Sequence, residues 1–203
     1  MRNRKKFLRT FGIFPEDVSS GELVHGNQVR RVLTKNKGVR FKDADGLITG
    51  RKNIFLSVTA ADCLPIFLFE PKKEIVGLVH AGWRSLEMNI LENAIGKMED
   101  LGGTPENILA GIGPAICQKH YEVGPEVAEK FVKYPEAIGN GNNKIFLDIK
   151  KVAEMQLLSL GVSGKNIEIS SACTFELPKK YFSARRDKPQ EIEAMMAAIG
   201  IKE

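Results

Sequence analysis

Three side chains with the chemistry to bind a soft or borderline metal stand far apart in this sequence: His25 in LVHGNQV, Cys63 in TAADCLPIF and His80 in LVHAGWRSL. Imidazole nitrogen and thiolate sulfur together suit zinc, and three protein ligands leave a fourth position for water or substrate. The separations are 38 residues (63 minus 25) and 17 (80 minus 63), unlike the tight pairs of zinc fingers. Tertiary folding must therefore assemble the set, which fits a catalytic metal better than a structural one. Taken singly, each residue has an ordinary reading. A strand Cys is usually a small buried hydrophobe, and a strand-end His is usually a hydrogen-bonded group. Asp62 fits an Asx-type turn before Pro65, Trp83 fits packing, and Arg84 fits a surface cation at a helix start. His120 in QKHYEVG reads as a loop histidine, Cys117 and Cys173 as buried or half-buried thiols, and Asp45 in DADGLIT as a turn residue. The conjunction favours a site: both histidines sit where predicted strands open into Gly-containing turns, and there the backbone can approach a ligand closely.

The elements that must position these groups can be read from periodicity. RKKFLRTFG predicts a short helix, and VRRVL, DGLIT, NIFLSVT, LPIFLFE and EIVGLVHA predict successive strands. SLEMNILENAIGKMEDLGG places Leu86, Ile90, Leu91, Ala94, Ile95 and Met98 on one helical face, closed by Gly102-Gly103. NILAGIG predicts a strand, PEVAEKFVK a helix opened by Pro125, IFLD a short strand, KKVAEMQLLSLGV a helix closed by Gly161, and NIEISSA a last strand. IGNGNNK reads as a polar turn. So many clustered strands exclude a regular βαβ alternation, and the chain reads as mixed α and β. With 203 residues, 43% of them hydrophobic, one domain over 1–203 is expected. The net charge of +5 permits an anionic ligand, but 25 acidic residues lie among 30 basic ones, so neither a nucleic acid nor a protein partner is expected. Three cysteines without close spacing point to reduced thiols and a cytoplasmic setting. FLRTFGIF is too short for a signal peptide's apolar region or a membrane span, so no membrane partner is expected.

HGNQV, ADCLP, HAGWR, GPAICQKHYEVG, IFLDIKKVAEMQLLSLGV and CTFELPKKYFSARRD, in that order, resemble the laccase-domain or YfiH-type family, also known as multicopper polyphenol oxidoreductases and purine nucleoside phosphorylases. The likeness runs from Asn3 to Asp187. It implies an α+β fold with four layers, α/β/β/α, built on mixed β-sheets. It also implies one zinc held by His25, Cys63 and His80, with phosphorolysis of adenosine, inosine, guanosine or methylthioadenosine, and deamination of adenosine. Copper could occupy such ligands in vitro, but true laccase chemistry needs more histidines than the three present. Within this scheme Asp62 joins Cys63 and His80 in the catalytic set as a proton carrier, although a regular strand would aim it away from Cys63. Arg84, Arg185 and Arg186 are the expected binders of phosphate, and the partners are a purine nucleoside with phosphate or water.

The sequence also departs from the family. Members carry about fifty further residues ahead of the NRKKF segment, and phosphate binding is the activity most exposed to that difference. Leu23, Ser85 and Ala184 stand where Gln, Gly and an aromatic residue are usual, and KPQEIEAMM replaces a TGR segment. These changes spare the metal ligands and alter the pocket wall. Two alternatives stay open: a Cys63–His80 thiol hydrolase or amidase acting on a nucleotide-linked substrate, and a non-catalytic module stabilised by zinc.

Overall fold

The computed structural model describes residues 2–188, 190 and 193–203. Helix α1 (Arg2–Arg9) is followed by β1 (Val18–Gly21), β2 (Val29–Arg31), β3 (Arg40–Phe41), β4 (Gly46–Thr49), β5 (Phe55–Ala60), β6 (Leu64–Glu70) and β7 (Ile75–Ala81). Then come α2 (Trp83–Glu87), α3 (Ile90–Glu99), β8 (Leu109–Ile112), β9 (Glu122–Val123), α4 (Pro125–Ala128), β10 (Ile138–Gly141) and β11 (Lys144–Leu147). The chain closes with α5 (Ile149–Ser159), β12 (Ile167–Ile169), α6 (Ala184–Asp187) and β13 (Met195–Gly200).

Side-chain alternation along the strands separates three apolar clusters and so fixes the layers. In β6, Leu64, Ile66 and Leu68 face one side and join the cluster that Leu86, Ile95, Met98, Val152 and Leu157 contribute from α2, α3 and α5. Phe67 and Phe69 face the other side, toward Leu56 and Val58 of β5 and Ala197 and Ile199 of β13. Phe55 points the opposite way from Leu56, into a third cluster with Leu8 of α1 and Val18. The result is α1, a four-stranded sheet, a six-stranded sheet, then α2, α3 and α5: the expected α/β/β/α order. Each fully buried Leu or Ile in these clusters contributes about 1.5–3 kcal/mol. Gly77 in β7 lets Ile48 pack tightly against the strand: a Cβ there would lie 2.5 Å from Ile48 Cδ1, which would have to shift.

The six-stranded sheet has the order β12-β8-β6-β7-β4-β2, and its directions decide where the loops emerge. β2 and β4 are parallel, β4 and β6 both run antiparallel to β7, β8 runs antiparallel to β6, and β12 is parallel to β8. The starts of β2, β4 and β6 and the ends of β7, β8 and β12 therefore share one end of the sheet. That end receives His25, Asp45, Cys63, His80, the 113–121 segment and the 170–176 segment.

Several sequence expectations need correction. NIEISSA is not the last strand: β13 follows, pairing antiparallel with β5 from Met195↔Ala60 to Gly200↔Phe55. Its MMAAIG has no polar alternation because both faces are partly covered. IGNGNNK is more than a turn, since β10 and β11 form a hairpin whose Asn142 and Asn143 take φ of 50° and 59°, the left-handed conformation suited to tight hairpins. The long helix from Ser85 is two helices, broken where Asn89 adopts φ 57°. PEVAEKFVK yields one α turn and a 3-10 turn instead of a full helix. Among the described residues no helix is long and apolar enough to cross a membrane.

Candidate metal centre

The register of the central strands brings the ligands together. Leu64↔Ala81 and Pro65↔His80 pairing leaves Cys63, one residue before β6, beside Gly82, one residue after β7. Contact there is so close that a Cβ on Gly82 would lie 3.0 Å from Cys63 Sγ and 3.3 Å from His25 Cδ2. The ligand atoms of His25, Cys63 and His80 all lie within 4.8 Å of one another. The two imidazoles meet edge to face, with centroids 5.0 Å apart. His80 is buried, Cys63 half-buried and His25 exposed, so the cluster opens to solvent on the His25 side. Its donor set fits a four-coordinate metal with one open position.

Asp45 organises both histidines, and the turn role assigned to it from sequence understates it. Its fully buried carboxylate accepts the His80 Nδ1–H bond at 3.0 Å, which leaves Nε2 as the ring's free nitrogen. It also accepts three successive backbone N–H groups, from Val24 (3.2 Å), His25 (3.0 Å) and Gly26 (2.9 Å). Such a run of N–H groups wraps an anion, and here the wrapping holds His25 at φ 57°. The His80 backbone N–H in turn donates to the Asp45 carbonyl at 2.7 Å.

The electrostatics follow from this contact set. Burial alone would raise the Asp45 carboxyl, but the bonds from His80, Gly26 and Val24 hold it below its ordinary range. Burial likewise opposes charge on His80, yet Asp45 and Cys63 raise the ring to about 9. Burial would push the Cys63 thiol up, and the His25 and His80 rings bring it down to about 7 instead. Thiolate character at Cys63 is thus built in, as a metal ligand requires.

Asp62 is not in a strand. It lies in the bend between β5 and β6 with φ 90°, an unusual conformation for any non-glycine residue. The difficulty over opposite strand faces disappears, but the proton carrier expected at this position is not what the geometry provides. Oδ1 accepts from Thr174 Oγ1 at 2.6 Å, and Oδ2 accepts from Ser183 Oγ at 3.0 Å and the Arg185 backbone N–H at 2.7 Å. Both carboxylate oxygens are spent on pinning the C-terminal segment beside the centre, and the Asp62 carbonyl accepts from Ile116 N–H at 3.1 Å.

The three arginines separate in role. Arg186 is corrected from anion binder to anchor: Nη1 donates to the Thr174 and Phe175 carbonyls, Nη2 to the Tyr181 carbonyl and Asp187, and Nε to Asp187. All five of its N–H donors are used. Arg185 commits only Nη1 among the described residues, to the Glu122 carbonyl at 2.8 Å, and its guanidinium lies 5.0 Å from the Tyr121 ring centre. Arg84 is exposed, with its guanidinium 4.5 Å from the Trp83 ring centre. Tyr121 was not singled out from the sequence, although it sits in the KHYEVG stretch. Burial, and then the charge of Cys63, push its hydroxyl up to about 12 while Arg185 and Arg84 oppose, so it stands within electrostatic reach of thiolate and arginines alike. His120 is held away from this centre by Glu176 at 3.1 Å and by stacking on Phe175.

Comparison with known proteins agrees with this architecture. Residues 1–202 match the family described as multi-copper polyphenol oxidoreductase laccase. The chain is 30% identical over 216 residues to the purine nucleoside phosphorylase YlmD of Bacillus subtilis, covering 100% of this chain and 77% of that protein. It is 34% identical over 190 residues to the purine nucleoside phosphorylase YfiH of Shigella flexneri, covering 92% of this chain and 75% of the relative. The crystal structure of YlmD from Geobacillus stearothermophilus superposes with a TM-score of 0.94 at 29% identity, covering 99% of this chain and 79% of that one.

Proposed function

The chain belongs to the multi-copper polyphenol oxidoreductase laccase family, and we propose that it is a zinc-dependent purine nucleoside phosphorylase that also deaminates adenosine. The observation that carries this reading is the convergence of His25, Cys63 and His80 within 4.8 Å, with Asp45 fixing the His80 ring behind them. Relatives named purine nucleoside phosphorylase supply the substrate class. Copper oxidase chemistry is disfavoured by ligand count: the chain has three histidines, and His120 is bonded to Glu176.

When bound, zinc supplies a Lewis-acid charge and draws the pKa of a water ligand toward neutrality. The protein's own groups do the rest. Asp45 accepts the Nδ1–H bond of His80, so that Nε2 is the ring nitrogen left for the ligand cluster, and a ligating His oriented by a carboxylate in this way binds more tightly. Arg185, with Nε and Nη2 uncommitted among the described residues, and Arg84 bind phosphate and hold it against the sugar. Tyr121, fixed beneath the Arg185 guanidinium, forms one wall. Asp62 positions that wall by pinning Arg185 through its backbone.

Zinc-loaded protein incubated with adenosine, with and without phosphate, tests the reading by product chromatography. Adenine with ribose 1-phosphate marks phosphorolysis, inosine marks deamination, and intact adenosine in both buffers would overturn the proposal. A second reading rests on the Cys63–His80 pair, whose thiol and ring are moved to about 7 and about 9, the pattern of a thiolate–imidazolium nucleophile. Loss of one equivalent of bound zinc in Cys63→Ala, relative to wild type, excludes a free nucleophile.

A further inference from the structure

We propose that Cys117, Cys173 and Glu176 form a second site for a thiophilic divalent cation of the zinc class. Their ligand atoms lie within 4.8 Å of one another, and the cluster shares no residue with His25, Cys63 and His80. The inference is independent of the nucleoside reading.

Main-chain pairing builds this cluster. After β8 and β12 end side by side, the two strands continue into an isolated parallel bridge between Ala115 and Cys173, and Thr174 N–H donates to the Ala115 carbonyl at 3.1 Å. Cys117 N–H donates to Cys173 Sγ at 3.2 Å, a bond that orients the sulfur. Lys150, itself largely buried, donates to the Ser170 (2.6 Å) and Ala172 (2.9 Å) carbonyls and fixes the turn that delivers Cys173. Cys173 is 2% exposed, Cys117 is half-buried and Glu176 is exposed, so a cation would enter from the Glu176 side.

Two sulfurs and a carboxylate oxygen are a donor set that zinc accepts and that harder cations such as magnesium do not. Behind Glu176 stands His120, with Nε2 3.1 Å from Oε1 and its ring stacked on Phe175 at 4.2 Å and 17°. A carboxylate ligand steadied by a second hydrogen-bonding group is the usual construction around a metal. Lys119 pairs with Glu176 in this structure. That exposed ion pair holds weakly and gives way to a divalent cation. Filling the site would tie the 115–117 segment to the 173–176 segment. Asp62 already spans the same two segments, through Ile116 and Thr174.

The test is metal stoichiometry on the full, reduced, metal-free chain, titrated with zinc against a chromophoric chelator. Wild type is expected to bind about two equivalents, and Cys117→Ser/Cys173→Ser about one. With cobalt as the probe, that double variant retains only the Cys63 thiolate, so the sulfur-to-cobalt absorption falls to about one third. His80→Ala, which disables only the first centre, is expected to keep one equivalent bound. Glu176→Gln changes an exposed residue without threatening the fold, and is expected to weaken that remaining equivalent about tenfold or more. A single equivalent in wild type would overturn the proposal. So would loss of all zinc in His80→Ala, or unchanged affinity in Glu176→Gln.

Discussion

Asp45→Asn separates positioning of the metal ligands from ligation itself. The carboxylate accepts four hydrogen bonds, two at each oxygen: His25 N–H and His80 Nδ1–H at Oδ1, Val24 N–H and Gly26 N–H at Oδ2. An amide keeps one acceptor and turns an NH2 group toward the other pair, whichever way it flips. Two donors lose their acceptor, at about 1–3 kcal/mol each. The loop 24–26 is partly exposed, so water replaces part of the loss, and the net cost falls near the lower end, about 2 kcal/mol. A domain of this size, stable by roughly 5–15 kcal/mol, stays folded. The effect on the metal is separate. Losing the charged partner of a ligating His weakens binding about 10–100-fold, equivalent to about 1.4–2.7 kcal/mol. Competition titration with a chelator reads the zinc affinity, and thermal unfolding of the metal-free protein reads the stability. If Asp45→Asn unfolds normally yet binds zinc within about twofold of wild type, Asp45 does not position His80, and the account of the site built on it is wrong.

Four further outcomes are expected. Zinc at about 100 times its Kd adds about 2.7 kcal/mol of stability, so chelation should lower Tm by roughly 5–11 °C; an unchanged Tm would contradict binding to the native state. Cys63→Ala should lose one equivalent of zinc, and in wild type the same metal should slow alkylation of Cys63, measured by peptide mapping. Arg185→Ala should raise the phosphate KM at least about tenfold with metal content intact, whereas Arg186→Ala should lower Tm; similar kinetic profiles for the two would erase the distinction between binder and anchor. Asp62→Ala leaves three donors without their acceptor at about 1–3 kcal/mol each, so a loss of at least about 3 kcal/mol is expected, seen as a Tm drop of at least roughly 6 °C.

The sequence made the His25, Cys63 and His80 cluster legible because these are rare residue types at the ends of strongly apolar strands, features that are local. The central strands and α5 were legible for the same reason: LPIFLFE and KKVAEMQLLS carry clear patterns of their own. What escaped was set by pairing. Asp45 reads as a turn residue until β4 is placed beside β7, when Gly46↔Val79 register puts it against His80. β13 has an unpatterned sequence and is a strand because β5 offers it an edge. Arg185 and Arg186 are adjacent and chemically identical, and only the carbonyls of Thr174, Phe175 and Tyr181 make one an anchor and leave the other open. Propensity favours a continuous helix through Asn89, but the chain must turn there to lay both α2 and α3 on the sheet.

Two buried carboxylates carry the architecture of the centre, and they act on different parts of the chain. Asp45 gathers the N-terminal ligand loop and the end of β7, through bonds to residues 24–26 and 80. Asp62 gathers the C-terminal half, through Thr174, Ser183, Arg185 and Ile116. Neither is free to exchange a proton without releasing what it holds, and that is the physical case for reading both as scaffolding. The adjacency of Asp62 and Cys63 then has a mechanical explanation. The φ of 90° at Asp62 ends β5 sharply, sends its carboxylate toward the C-terminal segment, and delivers Cys63 to the opposite histidines at the start of β6. Positive φ costs about 1–2 kcal/mol for an L-residue, and the three hydrogen bonds at the carboxylate offset it. A glycine at position 62 would relieve the strain and lose the anchor. Asp62→Gly should therefore bind zinc at His25, Cys63 and His80 while losing the phosphate dependence proposed for Arg185, and retention of both would show that the anchor is dispensable.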